Sequence, residues 1–225
     1  DEASSSEFLT FALNSGGASY YVSDCDDTIK GGINIPLSYN GLPVTSVGDG
    51  SFAWCTNLVS VTIPDSVTSI DHSAFIGCSN LTSVKIGNSV TSIGNGAFNQ
   101  CVSLTSITIP DSVTYVYDDA FAICTNLKTV SLGNSLTNIA GYMFSGCTSL
   151  ESIAIPDSVK SIGDSAFYGC ESLNDLIIPD SVLSIESNAF SDMSTICSPS
   201  LPRTIALSSC AMEIVLFKKA LAKEK

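Results

Sequence analysis

The chain has 225 residues, with 22 acidic and 9 basic side chains, a formal charge of −13 and a pI near 4.1. Hydrophobic residues make up 44% and charged residues only 14%, so the 38 Ser and 17 Thr supply much of the polar surface. This balance excludes a disordered acidic tail, which lacks core formers, argues against nucleic acid, whose phosphates need Lys and Arg, and leaves no apolar run long enough for a transmembrane helix.

The chain opens at Asp1-Glu2-Ala3 with neither Met nor a signal-peptide pattern, which predicts a processed or trimmed N-terminus. Residues 1–43 read as an N-terminal cap. Phe8–Leu13 and Ala18–Val22 are two strands, and Asn14-Ser15-Gly16-Gly17 turns between them, so the cap is expected to be a β-hairpin.

From residue 44 to 196 the sequence repeats. Phe recurs at 52, 75, 98, 121, 144, 167 and 190, each 23 after the last. Cys keeps the same step at 55, 78, 101, 124, 147 and 170, with Met193 in the seventh slot, and Leu follows from Leu58 to Leu173, with Ile196 closing the file. One unit reads Cys-x-x-Leu-x-x-Val-x-Ile-Pro-Asp-Ser-Val-x-x-Ile-x-x-x-Ala-Phe-x-x. A unit this small cannot bury its own apolar face, and stacking successive units makes a solenoid with a continuous core. Leu-x-x-Val-x-Ile supplies a first short parallel strand, with Val and Ile inward and the residue between them outward. Ser-Val-x-x-Ile supplies a second, and the run around Ala-Phe a return arc with a helical turn. Between the strands stands Pro-Asp-Ser (64–66, 110–112, 156–158, 179–181) or Gly-Asn-Ser (87–89, 133–135), two chemical routes to equivalent turns.

This unit resembles the 23-residue leucine-rich repeats of the bacterial BspA-like class. The segment from Asp27-Thr28 to Ile35-Pro36, followed by Asn40-Gly41-Leu42-Pro43-Val44-Thr45-Ser46-Val47, resembles the segment that precedes those repeats, so the likeness covers roughly 20–196. It implies an α/β-type, mostly β solenoid wound as a right-handed coil of about seven repeats. It further implies a secreted or surface-displayed protein that binds host or matrix proteins. Family members also occur in eukaryotic microbes, which leaves open a luminal or organellar subunit of a larger complex.

Residues 197–225 leave the register. Pro199 and Pro202 break it, and Ala211–Lys225 reads as a helix with Met212, Val215, Leu216 and Ala220 on one face. Lys218, Lys219, Lys223 and Lys225 make this tail basic. It is expected to cap the solenoid, with docking on an acidic surface or an anionic membrane face as the alternative.

The cysteine file Cys55, Cys78, Cys101, Cys124, Cys147 and Cys170 reads as stacked, buried, reduced thiols behaving as small apolar residues. Adjacent members come close enough for occasional oxidation. Absence of any C-x-x-C pair argues against zinc. Cys197 and Cys210 flank the Pro-containing loop as a possible disulfide, and Cys25 has no evident partner. His72, the only histidine, stands in a slot otherwise filled by Asp49, Asn95, Asp118, Gly141, Asp164 and Ser187. A variable polar slot is a poor seat for a general base. No phosphate loop, catalytic triad or singled-out carboxylate pair emerges, so the chain reads as a non-enzyme without metal or cofactor. The Asp65, Asp111, Asp157 and Asp180 file reads as local turn bonding rather than a calcium site.

Three functions fit the residues. The leading one is protein binding or adhesion through exposed first-strand positions, taken as the concave face: Ser60, Thr62, Thr82, Ser83, Lys85, Thr105, Ser106, Thr108, Lys128, Thr129, Ser131, Glu151 and Ser152. This face is hydroxyl-rich at one end and more acidic at the other. A structural or accessory subunit docked on a larger assembly is the second. Ice binding is the third, through the Thr file 45, 68, 91, 114 and 137, which Lys160 and Leu183 end while Tyr115 interrupts the Ser file beside it.

Overall fold

The computed structural model of the protein describes residues 7–26 and 28–193. Strands β1 (Leu9–Leu13) and β2 (Tyr20–Cys25) pair antiparallel, and the loop between them closes with Asn14 N–H donating to the Ser19 carbonyl at 2.9 Å. Next come β3 (Gly31–Asn34), β4 (Ser38–Tyr39) and β5 (Leu42–Val47). From there the strands alternate between two files. The first holds β6 (Leu58–Thr62), β8 (Ser83–Lys85), β10 (Ser106–Thr108), β12 (Thr129–Ser131), β14 (Ser152–Ala154) and β16 (Asp175–Ile177). The second holds β7 (Ser69–Ile70), β9 (Ser92–Ile93), β11 (Tyr115–Val116), β13 (Asn138–Ile139), β15 (Ser161–Ile162) and β17 (Ser184–Ile185). All pairs within these files are parallel with a step of 23, as in Ser60↔Ser83 and Ser69↔Ser92. Parallel stacking begins before residue 44, because β2 pairs with β5 and β3 with β6.

Period two in each first strand sends Val61, Ile107, Val130 and Ile153 into the core, and Val67, Val90, Val113, Leu136 and Val159 close it from the turn side. Phe52, Phe75, Phe98, Phe121, Phe144 and Phe167 are fully buried, and Phe190 is nearly so. Their rings stack in one ladder, with centroids 4.7 Å apart at Phe52–Phe75 and 5.8 Å at Phe121–Phe144. Met193, in the last Cys slot, is partly buried against this core.

The return arc contains no helical turn, and no α-helix occurs among the described residues, so the expected α/β character gives way to a mostly β solenoid. The reason is periodic. Two positions per coil take positive φ, two residues before and two after each Phe: Gly50, Ser73, Gly96, Asp119, Tyr142, Ser165 and Asn188, then Trp54, Gly77, Gln100, Ile123, Gly146, Gly169 and Asp192. A left-handed residue ends any right-handed turn before it can propagate. The arc is held by neighbouring coils instead, with Phe52, Phe75 and Phe98 N–H donating to the Ala74, Ala97 and Ala120 carbonyls at 2.7–2.8 Å.

The two turn types are not interchangeable. A Cβ at Gly87 would lie 2.5 Å from the Pro64 carbonyl oxygen, and one at Gly133 would lie 2.3 Å from that of Pro110. Stacked on a Pro turn, these turns have no room for a side chain. The aspartates also reach beyond their own turn: Asp65 Oδ1 accepts from Asn88 N–H at 2.6 Å, and Asp111 Oδ1 from Asn134 N–H at 2.7 Å. The expected local turn bonding is therefore, at these two positions, bonding between coils.

The ladders are interrupted at one coil. Strand β10 pairs onward with β12 and not back with β8, whereas β11 pairs back with β9 and not onward with β13. Across the same steps the arc stays bonded, Phe98 N–H to the Ala120 carbonyl and Phe121 N–H to that of Met143. The expected C-terminal helix, Ile196 and the candidate Cys197–Cys210 bridge lie outside the described residues.

Truncating one rung of the ring ladder removes contacts from three coils. Phe98→Ala or Phe121→Ala should cost about 3–5 kcal/mol in urea denaturation, and an unchanged midpoint would show that the arc does not pack inward. Ile123, β-branched at φ 59° and 45% exposed, carries about 1–2 kcal/mol of left-handed strain. Ile123→Gly should hold or raise the midpoint. Gly77→Ala should lower it, because its Cβ would meet the Trp54 ring at 2.3 Å.

Candidate functional site

On the first-strand file the register aligns Ser60 with Ser83, and Ser106 with Thr129 and Ser152, in one row, and Thr62 with Lys85, and Thr108 with Ser131, in another. Ser60 and Thr62 are half-buried. Thr82, Ser83, Lys85, Thr105, Ser106, Thr108, Lys128, Thr129, Ser131, Glu151 and Ser152 are all exposed. Lys128 Nζ lies 3.9 Å from Glu151 Oε1, and both side chains are mostly in water, so the pair contributes under about 1 kcal/mol. The C-terminal end of this face, expected to be acidic, holds an apolar groove of about 470 Å³ lined by Ser152, Ile153, Ala154, Ile155, Asp157, Ile177 and Pro179. Ile177 there is 74% exposed.

The Thr file of the second strands is exposed from Thr68 to Thr137. The Oγ1 hydroxyls of Thr68, Thr91 and Thr114 donate to the Thr45, Thr68 and Thr91 carbonyls at 3.1–3.2 Å. Those protons serve the stack.

Beside this file lies a feature the repeat pattern did not single out. Asp71, Gly94 and Tyr117 occupy equivalent positions on three consecutive coils, next to the paired Ile70, Ile93 and Val116. Gly94 must lack a side chain, since a Cβ would lie 2.6 Å from the Asp71 carbonyl carbon. It therefore floors a notch of about 460 Å³ lined by Asp49, Ile70, Asp71, His72, Ser92, Gly94 and Tyr117. His72 and Tyr117 face each other edge-on with centroids 6.4 Å apart, and Tyr115 stacks beside Tyr117 at 6.5 Å. His72 N–H donates to Asp49 Oδ1 at 3.0 Å, and His72 Nδ1 accepts from Asn95 N–H at 3.2 Å, which leaves Nε2 as the donor. Burial pushes the Asp71 carboxyl above the usual carboxylate range, and the Asp49 carboxylate adds to that against relief from Ser69 and His72. The available sequence signal was departure from the file: Tyr115 among serines and Tyr117 in a slot that holds Gly48, Asp71 and Gly94.

Cysteine is where the structure corrects the sequence reading. Cys25, expected to lack a partner, forms a disulfide with Cys55, so the file has five free thiols rather than six. The segment before Cys55 does not keep the 23-residue step, with Gly32 opposite Ser60, and the end of β2 brings Cys25 to Cys55 there. Cys78, Cys101, Cys124, Cys147 and Cys170 are fully buried. Each Sγ donates to the carbonyl of the Phe 26 residues earlier, from Cys78–Phe52 at 3.0 Å to Cys170–Phe144 at 3.2 Å. Burial pushes Cys78 and Cys170 up to about 12, and Cys101, Cys124 and Cys147 well above the ordinary thiol range. No group of three or more His, Cys, Asp and Glu is placed to hold a metal among the described residues. No helix among them is long and apolar enough to cross a membrane.

A family model described as the BspA type leucine-rich repeat region matches residues 45–170 and 118–213 in six copies. Among solved structures, a leucine-rich repeat protein of T. pallidum is 30% identical with a TM-score of 0.72, covering 84% of this chain and 82% of that one. A leucine-rich cell surface protein of Faecalibacterium prausnitzii is 36% identical with a TM-score of 0.73, covering 82% of this chain and 50% of that one. A leucine-rich repeat protein of Bacteroides ovatus is 30% identical with a TM-score of 0.62, covering 83% and 56%. This chain thus spans about half the length of the last two. Comparison with curated proteins gives no match.

The thiols supply a test. Folded Cys78 keeps its proton to about pH 12 against 9.0 for the ordinary thiol, so its stabilising contribution is complete below pH 9 and is lost as pH rises towards 12. Native alkylation at pH 8 should leave the five ladder thiols unlabelled and denaturation should expose them. Rapid native labelling of Cys101 or Cys124 would mean that the file does not face the core.

Proposed function

The chain belongs to the BspA-type leucine-rich repeat family, and from that premise we propose that it is a non-enzymatic protein-binding or adhesion module, secreted or displayed at a cell surface. The observation that carries this reading is the register of exposed side chains on the first-strand file, from Thr82 to Ser152. The core commits the alternating Val and Ile positions and leaves these free to vary, which is how solenoids present a binding face. The Cys25–Cys55 disulfide supports an oxidising compartment, and the cell-surface relative supports display. The antiparallel β1–β2 pair shields the N-terminal edge of the stack.

One observation favours the accessory-subunit reading. Ile177 and Leu183, on the last described coil, are 74% and 72% exposed, and a larger assembly would cover them.

Changing Lys85 and Lys128 together to Glu moves the formal charge by four units from −13. Folding should hold within about 0.5 kcal/mol per exposed site, while capture of a partner protein from extract slows, mainly in association rate. Truncation after Cys210 is the paired measurement. Normal binding by the double variant, with binding lost on truncation of a still-folded rod, would transfer the function to the tail.

A further inference from the structure

Four features put the notch on the second-strand face apart from the rest of the surface. Asp71 and Tyr117 stand two coils apart, roughly 10 Å at ~4.8 Å per step, with only Gly94 between them. The notch they bound has a volume of about 460 Å³, with the His72 ring 6.4 Å from that of Tyr117 at its side. One wall is aromatic and half in water: Tyr117 is 50% exposed, and its neighbour Tyr115 is 58% exposed. The other wall carries two carboxylates, Asp71 and Asp49, and the Nε2 donor of His72. No Lys or Arg lines the notch, and no ion pair to Asp49 or Asp71 forms among the described residues.

An exposed ring face attracts cations through its quadrupole, and Arg does so more often than Lys because its guanidinium is flat. A carboxylate at the far side completes a charge-assisted hydrogen bond to the same group. The chain's charge of −13 steers cations towards it. Burial and the Asp49 carboxylate both disfavour the ionised form of Asp71, a cost that an arriving cation offsets. A neutral sugar would also stack on Tyr117, yet it would leave the paired carboxylates uncompensated.

We infer that this notch receives an arginine side chain presented by a basic segment of a partner protein, the guanidinium lying against Tyr117 and pairing with Asp71. The inference rests on the protein-binding reading and adds the chemistry of one contact to it, on a different face from Lys85 and Lys128.

His72 is the only histidine, so its ring proton gives one assigned reporter in the full chain. The peptide acetyl-Gly-Arg-Gly-amide should shift that signal saturably at fixed pH, and added salt should weaken the effect. The citrulline peptide, equal in shape but neutral, should not bind. Asp71→Asn should weaken binding roughly tenfold or more, Tyr117→Leu by about three- to tenfold, and Trp54→Ala not at all. Equal binding of the citrulline peptide, an unaffected Asp71→Asn, no saturable shift, or saturation by cellobiose in place of the arginine peptide would each overturn the inference. No partner is needed for this measurement, so its failure leaves the first-strand reading standing, and failure of the Lys85/Lys128 test leaves the notch standing.

Discussion

Phe98 is closed off from water only because Phe75 lies against one side of its ring and Phe121 against the other, at 5.0 and 5.3 Å. Every coil depends on its neighbours in this way, since 23 residues do not enclose a ring of that size alone. The constraint runs through the rest of the molecule. It demands an identical step at every repeat, because one inserted residue would carry a Phe out of the ladder. It also makes stability a sum over neighbouring interfaces, so that end coils are the weak ones and need cover.

Keeping the rings in line sets the chemistry around them. Residues two before and two after each Phe turn left-handed, which keeps the arc tight but makes helix impossible there. The Phe75 carbonyl accepts from Cys78 N–H within its own turn at 3.3 Å, and a ladder thiol adds a second bond from the next coil: Cys101 Sγ donates to it at 3.2 Å. An Ala in that slot would fill similar space without this second bond, and a Ser would bring a more strongly hydrated hydroxyl. This is a structural use of cysteine, reinforced by burial that withholds the reactive thiolate.

The same constraint explains where the surface departs from monotony. The coil that carries β10 and β11 shares its first strand with the coil after it and its second with the coil before it, while the arc and the turn at Asp111 and Ser112 bond in both directions. The second-strand ladder that starts at β1 therefore stops at Tyr115 and Tyr117, and these rings stand in solvent beside the Gly94 gap. Exposed aromatic side chains and a missing side chain on adjacent rungs turn a flat sheet face into a notch. Along the first-strand file the exposed hydroxyls, Lys85, Lys128 and Glu151 keep a regular register up to the apolar groove beside Ile177.

Much was legible in the order of residues alone. Repetition at a step of 23 identified the solenoid, the inward Val, Ile, Leu and Phe, the buried thiol file and the exposed first-strand positions. It does so because equal spacing puts equivalent residues in equivalent places, whatever the details of the backbone between them. Three matters depended on the tertiary structure. Gly87 and Gly133 are required by the Pro carbonyl stacked against each of them, a contact between coils that the turn's own residues do not reveal. Cys55 pairs with Cys25 because the path of the non-repeating segment brings β2 to the first coil, and no period describes a segment that does not repeat. The notch exists because Asp71, Gly94 and Tyr117, 23 residues apart in sequence, are neighbours in space. Periodicity determines which residues share a file; what adjacent members of a file do to one another is decided only by the distance and facing of the coils that carry them.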